Sequence, residues 1–256
     1  MAWEKGSRRK IKGSISKHLK TMIVDVSVGV PKKLGEAAVV IDIFRSSTTI
    51  VEALDNGVKY IVPTKSVREA LRLKSRLSER ESILLAGERM GITPKGFDMN
   101  ISPQLMRREI VDGKVLVYTS TNLTRALFSC KSAKHIIIGG LTNAKAVAQY
   151  LDRLNPHHVT LVACGLVVKR EVNLEDVIGA GAIINNLQSE TKLTDLAMLA
   201  LLAYQNPRWR ELVQRGMIAT YLGKLGFSED IKYCLRENIS QTIPILVKDR
   251  IIPAER

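Results

Sequence analysis

The sequence predicts an α/β fold: a three-layer α/β/α arrangement around a largely parallel or mixed sheet, with a helix-rich C-terminal part. Three observations predict it. Short apolar runs alternate with amphipathic stretches as far as residue 165. Several of those runs are apolar at every position rather than at alternate ones, as strands covered on both faces are. From Asn173 onward helical periodicity takes over.

MIVDVSV (22–28) alternates and is read as a first strand ending before the Pro31 turn. AAVVIDIF (37–44) is continuous and is read as a second, buried strand. TTIVEALDNG (48–57) follows as a helix stopped by Asn56-Gly57, residues that tolerate the left-handed turn closing many helices. VKYIVP (58–63) is a third strand. SVREALRLKSRL (66–77) is an amphipathic helix with Ser66 as N-cap and Glu69 three residues on, a pairing that satisfies free N–H groups reciprocally. SILLAGE (82–88) is a strand running into Gly87-Glu88-Arg89, and the loop RMGITPKGFDMNISP (89–103) leads to a short helix after Ser102.

GKVLVYTSTN (113–122) is a strand ending in hydroxyls, before the helix LTRALFSC (123–130). KHIIIG (134–139) and HHVTLVACG (157–165) are strands flanking the helix TNAKAVAQYLDRL (142–154). NLEDVIGAGAIINNL (173–187), LTDLAMLALLAY (193–204), RWRELVQRGMIATYLGKLG (208–226) and SEDIKYCLRE (228–237) are helical, with the glycines of GAGAI (179–183) allowing close helix packing. TIPILVK (242–248) is a last strand, expected at the sheet edge, where Pro244 removes no ladder hydrogen bond. No linker divides residues 22–256, which form one domain behind a basic extension, residues 1–21, expected to be disordered.

Composition sets bounds. Apolar residues make up 45% and charged residues 25% of 256, enough for one large core. The net charge is +14, but seven Lys or Arg against Glu4 in the first twenty residues leave +8 for the rest. A basic body suits an enzyme of anionic substrates, because positive potential concentrates them. Aromatic residues are 5% and do not interleave with basic ones, which argues against nucleic acid as the partner. LAMLALLAY (196–204) is too short to cross a bilayer. Cys130, Cys164 and Cys234 are odd in number and far apart, unlike a disulfide framework or a zinc cluster. A cytoplasmic location follows as the expectation.

In open α/β sheets ligands gather where strands end and helices begin. Four such ends are unusually polar: Asp42 with Arg45, Ser46, Ser47, Thr48 and Thr49; Gly87-Glu88-Arg89; TSTNLT (119–124); and Cys164-Gly165 with Glu175 and Asp176 beyond. Carboxylates such as Asp42, Glu88, Glu175 and Asp176 are hard oxygen ligands, which Mg²⁺ takes one or two at a time beside water and substrate phosphate. Hydroxyls before a helix, and the planar forks of Arg45 and Arg89, match phosphate, sulfonate or carboxylate oxygens. Plainer readings exist. Glu175 and Asp176 could simply complement a helix dipole behind Asn173 as N-cap, and one hydroxyl-rich helix start could be capping alone. Two in one chain are harder to assign that way. The phosphate loop, the nucleophile elbow and the paired-histidine zinc motif are absent. His157 and His158 are expected in solvent, and Cys164 as a buried apolar residue. The residues alone point to a Mg²⁺-assisted enzyme of a small anionic phosphate ester.

The sequence resembles the Mg²⁺-dependent 2-phosphosulfolactate phosphatases of coenzyme M biosynthesis. The resemblance rests on VVIDIFRSSTTIVEAL, LLAGERMG, KGFDMNISP, VYTSTNLTRAL, LTNAKAVAQYL, LVACG and NLEDVIGAGAI, in that order, and spans roughly residues 22–250. It implies an α/β fold, a Mg²⁺ requirement and hydrolysis of the phosphate ester of a three-carbon sulfonated acid. Carried over by position, Asp42, Glu88, Asp176 and Glu175 would serve the metal. Arg45 with Ser46, Ser47 and Thr48 would grip the phosphoryl group; Arg89, Thr121, Asn122 and Thr124 would bind substrate; and Asp98, from the Phe-Asp element, would be a general acid or base. Ile101 and Leu123 depart from the family pattern, which is polar or small there, in loops expected to meet the substrate. Direct water attack and a covalent phospho-enzyme both stay open, as does the oligomeric state, a homodimer included. The rival readings are a related hydrolase of another small phosphate ester and a non-catalytic RNA- or anion-binding protein on the same fold.

Overall fold

A computed structural model describes residues 21–165 and 171–255. The basic extension, apart from Thr21, and residues 166–170 lie outside the described residues.

The apolar runs become strands where expected: β1 (Met22–Val28), β2 (Ala37–Ile41), β3 (Tyr60–Pro63), β4 (Ile83–Gly87), β5 (Val115–Thr119), β6 (His135–Gly139) and β7 (His158–Ala163). β2, β3 and β5 are buried along their whole length, which is why they carry no polar alternation. Between them run α1 (Ser46–Asp55), α2 (Val67–Leu77), α3 (Arg108–Val111), α4 (Leu123–Ser129) and α5 (Ala144–Leu154). The C-terminal part holds α6 (Leu174–Asn186), α7 (Asp195–Gln205), α8 (Trp209–Gln214), α9 (Met217–Lys224) and α10 (Ser228–Cys234), with β8 (Thr191–Leu193), β9 (Pro244–Val247) and β10 (Arg250–Pro253).

The ten strands form one mixed sheet in the order β4-β5-β3-β10-β9-β6-β2-β7-β1-β8. Two parallel blocks, β4-β5-β3 and β6-β2-β7-β1-β8, are joined by the antiparallel hairpin β9–β10. TIPILVK therefore lies inside the sheet, not at its edge. The hairpin touches each block through a single residue pair, Ile251 with Ile61 and Ile245 with Ile137, so little ladder is lost where prolines open β9 and close β10. β8 and β10 were not expected as strands. β8 is the polar Thr-Lys-Leu, and it extends only because its backbone completes the edge of β1.

β2 alternates its packing. Val39 and Ile41 face the core under α5, α6 and the C-terminal helices, while Ala38 and Val40 face the core under α1 and α4. These are the two helical layers, one on each face of the sheet, that the sequence predicts. In α6, a Cβ on Gly179 would lie 2.7 Å from Ile43 Cδ1, and one on Gly181 would collide with the Ala200 carbonyl of α7. Local rules hold in α2: Ser66 Oγ accepts from the Glu69 N–H at 3.2 Å, and the Glu69 carboxylate accepts from the Lys65 N–H at 2.8 Å. RWRELVQRGMIATYLGKLG splits at Gly216 into α8 and α9, where a Cβ would sit 2.9 Å from the Val213 carbonyl oxygen.

Candidate active site

Each strand end that looked unusual in sequence is buried, and three of the four meet around one cavity of 220 Å³. Its walls include Asp42, Arg45, Ser46, Glu88, Thr121 and Asn122. Asp42 follows β2, and Ser47 fixes the turn from both directions. The Ser47 N–H donates to the Asp42 carbonyl at 2.9 Å, and Ser47 Oγ accepts from the Asp42 N–H at 3.0 Å. The Phe44–Arg45 peptide in this turn is cis. Thr49 Oγ1 lies 2.5 Å from the Ile101 carbonyl oxygen, and Thr48 is fully buried with its hydroxyl beside the Cys234 thiol. Of the four consecutive hydroxyls, then, Ser46 alone lines the cavity. Ser47 and Thr48 are not brought to it.

Arg45 is 1% exposed. Its Nη1 donates to Asp230 Oδ2 at 2.8 Å, and the guanidinium stacks 3.9 Å from the centre of the Phe227 ring. Asp230 is in turn held by Ser102 Oγ at 2.7 Å and Gln104 Nε2 at 3.0 Å. No other hydrogen bond from the Arg45 side chain occurs among the described residues, so Nε and Nη2 remain for whatever enters. Sequence reasoning missed Asp230 and Phe227. They lie more than 180 residues from Arg45, and SEDIKYCLRE reads as an ordinary amphipathic helix.

The acids divide into two pairs. Glu88 Oε1 accepts from the Thr121 N–H at 2.5 Å, and Oε2 accepts from the Gly91 N–H at 2.8 Å and from Thr121 Oγ1 at 3.0 Å. Asp176 bridges the ends of β2 and β7, accepting from the Ile43 N–H at 2.8 Å and the Gly165 N–H at 2.9 Å. Asp176 is spent on backbone N–H groups, and Glu88 on two backbone N–H groups and the Thr121 hydroxyl. Asp42 and Glu175 are buried and form no ion pair among the described residues. Burial pushes Asp42 up to about 6, with Glu88 adding to the shift against hydrogen bonds from Ser46 and the Leu123 N–H. Burial pushes Glu175 up to about 7, with Asp42 adding to it. Asp176 is raised well above the usual carboxylate range by burial and then by Glu175 and Asp42.

Among the described residues, no three acidic, histidine or cysteine side chains converge as a chelating set, so the four-carboxylate ligand set expected from the sequence is not assembled. What remains is Asp42, in the cavity wall with Asn122, and Glu175, which lies outside that wall but feels the Asp42 charge; the buried amide oxygens of Asn122 and of Asn173, two residues before Glu175, have no hydrogen-bond partner. Asn173 is the N-cap of α6 yet makes no side-chain cap bond. Hard oxygens short of positive charge fit Mg²⁺, which needs only one or two protein carboxylates and keeps its waters.

Other expected residues stand elsewhere. Asp98 is exposed; its carboxylate takes both bonds from Lys74 Nζ at 2.8 Å and one from the Leu85 N–H at 2.7 Å, tying the 89–103 loop to α2 and β4. It does not line the cavity. Arg89 and Thr124 face a neighbouring cavity, and Thr121 lines both. Ile101 is in the wall, whereas the Leu123 side chain is buried in the core beneath α4. His157 is exposed, but His158 opens β7 half-buried, at the N-terminal end of the parallel strands and opposite the cavity. Cys164 is buried and its thiol is pushed well up by burial, which suits the apolar role. The wall contributed by α9, with Met217, Ile218, Tyr221 and Leu222, was not foreseen; Tyr221 Oη donates to the Met90 carbonyl at 2.9 Å and ties this wall to the loop after β4.

Residues 26–249 match the family model described as 2-phosphosulpholactate phosphatase. A probable 2-phosphosulfolactate phosphatase of Carboxydothermus hydrogenoformans is 39% identical over 221 residues, covering 84% of this chain and 89% of the relative. One from Clostridium perfringens is 37% identical over 209 residues, covering 80% and 83%. One from Caldicellulosiruptor saccharolyticus is 35% identical over 212 residues, covering 78% and 85%. With a match that takes in both parallel blocks of the sheet and every wall of the cavity, the chain belongs to the 2-phosphosulpholactate phosphatase family, whose members are phosphoric monoester hydrolases.

Proposed function

We propose that this chain hydrolyses the phosphate monoester of 2-phosphosulfolactate to sulfolactate and phosphate, with Mg²⁺ as cofactor. One observation carries the reading: a fully buried arginine, Arg45, pinned by Asp230 and Phe227, offers its free N–H groups to the same small cavity that holds the unpaired carboxylate of Asp42. Arg45 and Ser46 grip the phosphoryl oxygens and stabilise charge as the ester bond breaks, the usual source of rate in phosphoryl transfer. Because Asp230 fixes the guanidinium before substrate arrives, no reorganisation is needed at the moment of reaction. Asn122 and Thr121 orient the acid portion from the opposite wall, and the apolar side of α9 excludes water from it. Asp42 and Glu175 would hold the Mg²⁺, which when bound supplies the charge that keeps both ionised at neutral pH and polarises phosphoryl oxygen. The reading makes this a cytoplasmic metabolic enzyme, in keeping with three buried free thiols.

The test is phosphate release from racemic 2-phosphosulfolactate by the purified chain, with Mg²⁺ and with EDTA. Mg²⁺-dependent release is expected. A folded protein that releases no phosphate, while cleaving another small phosphate ester, would move the assignment to that ester.

A further inference from the structure

On the far side of Thr121 from Asp42 lies a second concavity, of 510 Å³, whose walls carry Lys65, Arg89 and Arg125. No carboxylate lines it, whereas Asp42 and Glu88 line its neighbour. Eight ion pairs occur among the described residues and none involves these three cations. Arg89 is held in place by neutral acceptors only: Nη1 donates to the Glu88 carbonyl at 2.7 Å and Nη2 to Thr119 Oγ1 at 2.8 Å. Its orientation is fixed and it forms no ion pair among the described residues, the nearby Glu88 carboxylate being taken by Gly91 and Thr121. Burial lowers the Arg89 pKa; the Glu88 carboxylate next to it raises it, and the positive charge of Arg125 lowers it. The Lys65 ammonium lies 5.3 Å from the centre of the Phe128 ring, which also lines the hollow. Ser120 Oγ, 3% exposed, accepts from the Thr124 N–H at 3.2 Å, and its own proton has no acceptor among the described residues. Like charges gathered around one hollow repel unless an anion occupies it, and fixed guanidinium forks match tetrahedral oxyanions.

We infer that the Lys65–Arg89–Arg125 hollow is a second anion site, which binds a tetrahedral oxyanion, as inorganic phosphate or as the sulfonate of an organic acid, separately from the cavity of Asp42 and Arg45. The inference rests on the charges lining the hollow and does not require the proposed phosphatase reaction. Where that reaction runs, the phosphate released one residue away is the nearest source.

Inorganic phosphate is titrated into the full chain by calorimetry in EDTA, at low and at high salt. Saturable binding that weakens with salt is expected. Arg125→Ala and Lys65→Ala, both exposed residues outside the catalytic cavity, should each weaken it by about tenfold, the worth of a charged hydrogen bond. Asp42→Asn should leave it unchanged. A parallel titration with sulfolactate assigns the source: binding that depends on Arg125 for phosphate alone identifies a phosphate site, and for sulfolactate as well a general oxyanion site. Absence of saturable binding overturns the inference. So does phosphate binding that survives Arg125→Ala and Lys65→Ala but is altered by Asp42→Asn. Turnover by Arg125→Ala without added phosphate should stay within about twofold of the parent chain, as for other changes away from the reacting atoms. Binding is read without Mg²⁺ or turnover, so its failure and failure of the phosphatase reading are told apart.

Discussion

Single residues decide what the cavity can do, and the sequence tells only part of which ones. The cluster after β2 stands out because an acid, a guanidinium and four hydroxyls crowd eight positions. What the pattern hides is the division of labour: Ser47 and Thr49 serve backbone atoms, and Asp230 holds Arg45 in the cavity wall. No local rule reads a contact across 185 residues. Arg45→Lys removes the planar fork and should lower kcat/KM on the order of 10²-fold, measured by steady-state kinetics on protein whose circular dichroism is unchanged. Asp230→Asn leaves a buried guanidinium without a counter-ion. It should cost about 3–5 kcal/mol of unfolding free energy in urea titration, with activity falling as Arg45 loses its support. Asp98→Asn is the contrasting case. Its carboxylate ties a surface loop to Lys74, so kcat/KM should stay within about twofold, as for changes outside a functional site. A loss as large as that of Arg45→Lys would return Asp98 to the reaction.

At the scale of elements, legibility follows periodicity. The buried strands β2 to β7 and the helices α2, α5 and α6 are evident because burial on both faces, or on one stripe, leaves a repeating mark. β8 and β10 leave none, since each is short and exists through backbone pairing with a neighbour. The glycines of α6 were legible as close-packing positions, and the packing against α7 gives them a measurable cost. At Gly181 an added Cβ meets the Ala200 carbonyl and Tyr204 Cβ, backbone and the root of a side chain, which cannot swing aside. Gly181→Ala should therefore destabilise the fold by about 1–3 kcal/mol in chemical denaturation, although alanine favours an isolated helix. A stabilised variant would show that α7 can move away from α6 without loss.

For the whole molecule, the mixed sheet places two parallel blocks on either side of a hairpin seam, yet the cavity draws Asp42 from one block and Glu88 with Thr121 from the other. A sequence reading finds each strand end but not which ends meet, because strand order is set by long-range pairing. Bringing acids together in the interior has a consequence for stability against pH. Asp42 is pushed from an ordinary 3.8 to about 6 and Glu175 from 4.5 to about 7, both mainly by burial. In that interval the folded chain binds more protons than the unfolded one. The stability these groups contribute is fully present below their unfolded values and is lost as pH rises through about 6 and about 7. The exposed acids with lowered values, Glu36 and Glu81, act on the other side: their contribution is present above 4.5 and lost only as pH falls below it. Asp176 and Glu52, raised mainly by burial as well, act in the same direction, so between pH 5 and 8 the buried acids set the slope. Metal-free protein in EDTA should unfold at progressively lower temperature as pH is raised from 5 to 8, the loss amounting to on the order of 1–3 kcal/mol. On the proposed reading the ionised carboxylates hold Mg²⁺, so saturating Mg²⁺ should stabilise most at pH 8 and least at pH 5, flattening the profile. Asp42→Asn should make it shallower without Mg²⁺, the other raised acids remaining. A metal-free profile that is already flat, or a Mg²⁺ effect equal at both ends of the range, would mean that Asp42 and Glu175 do not share the cation.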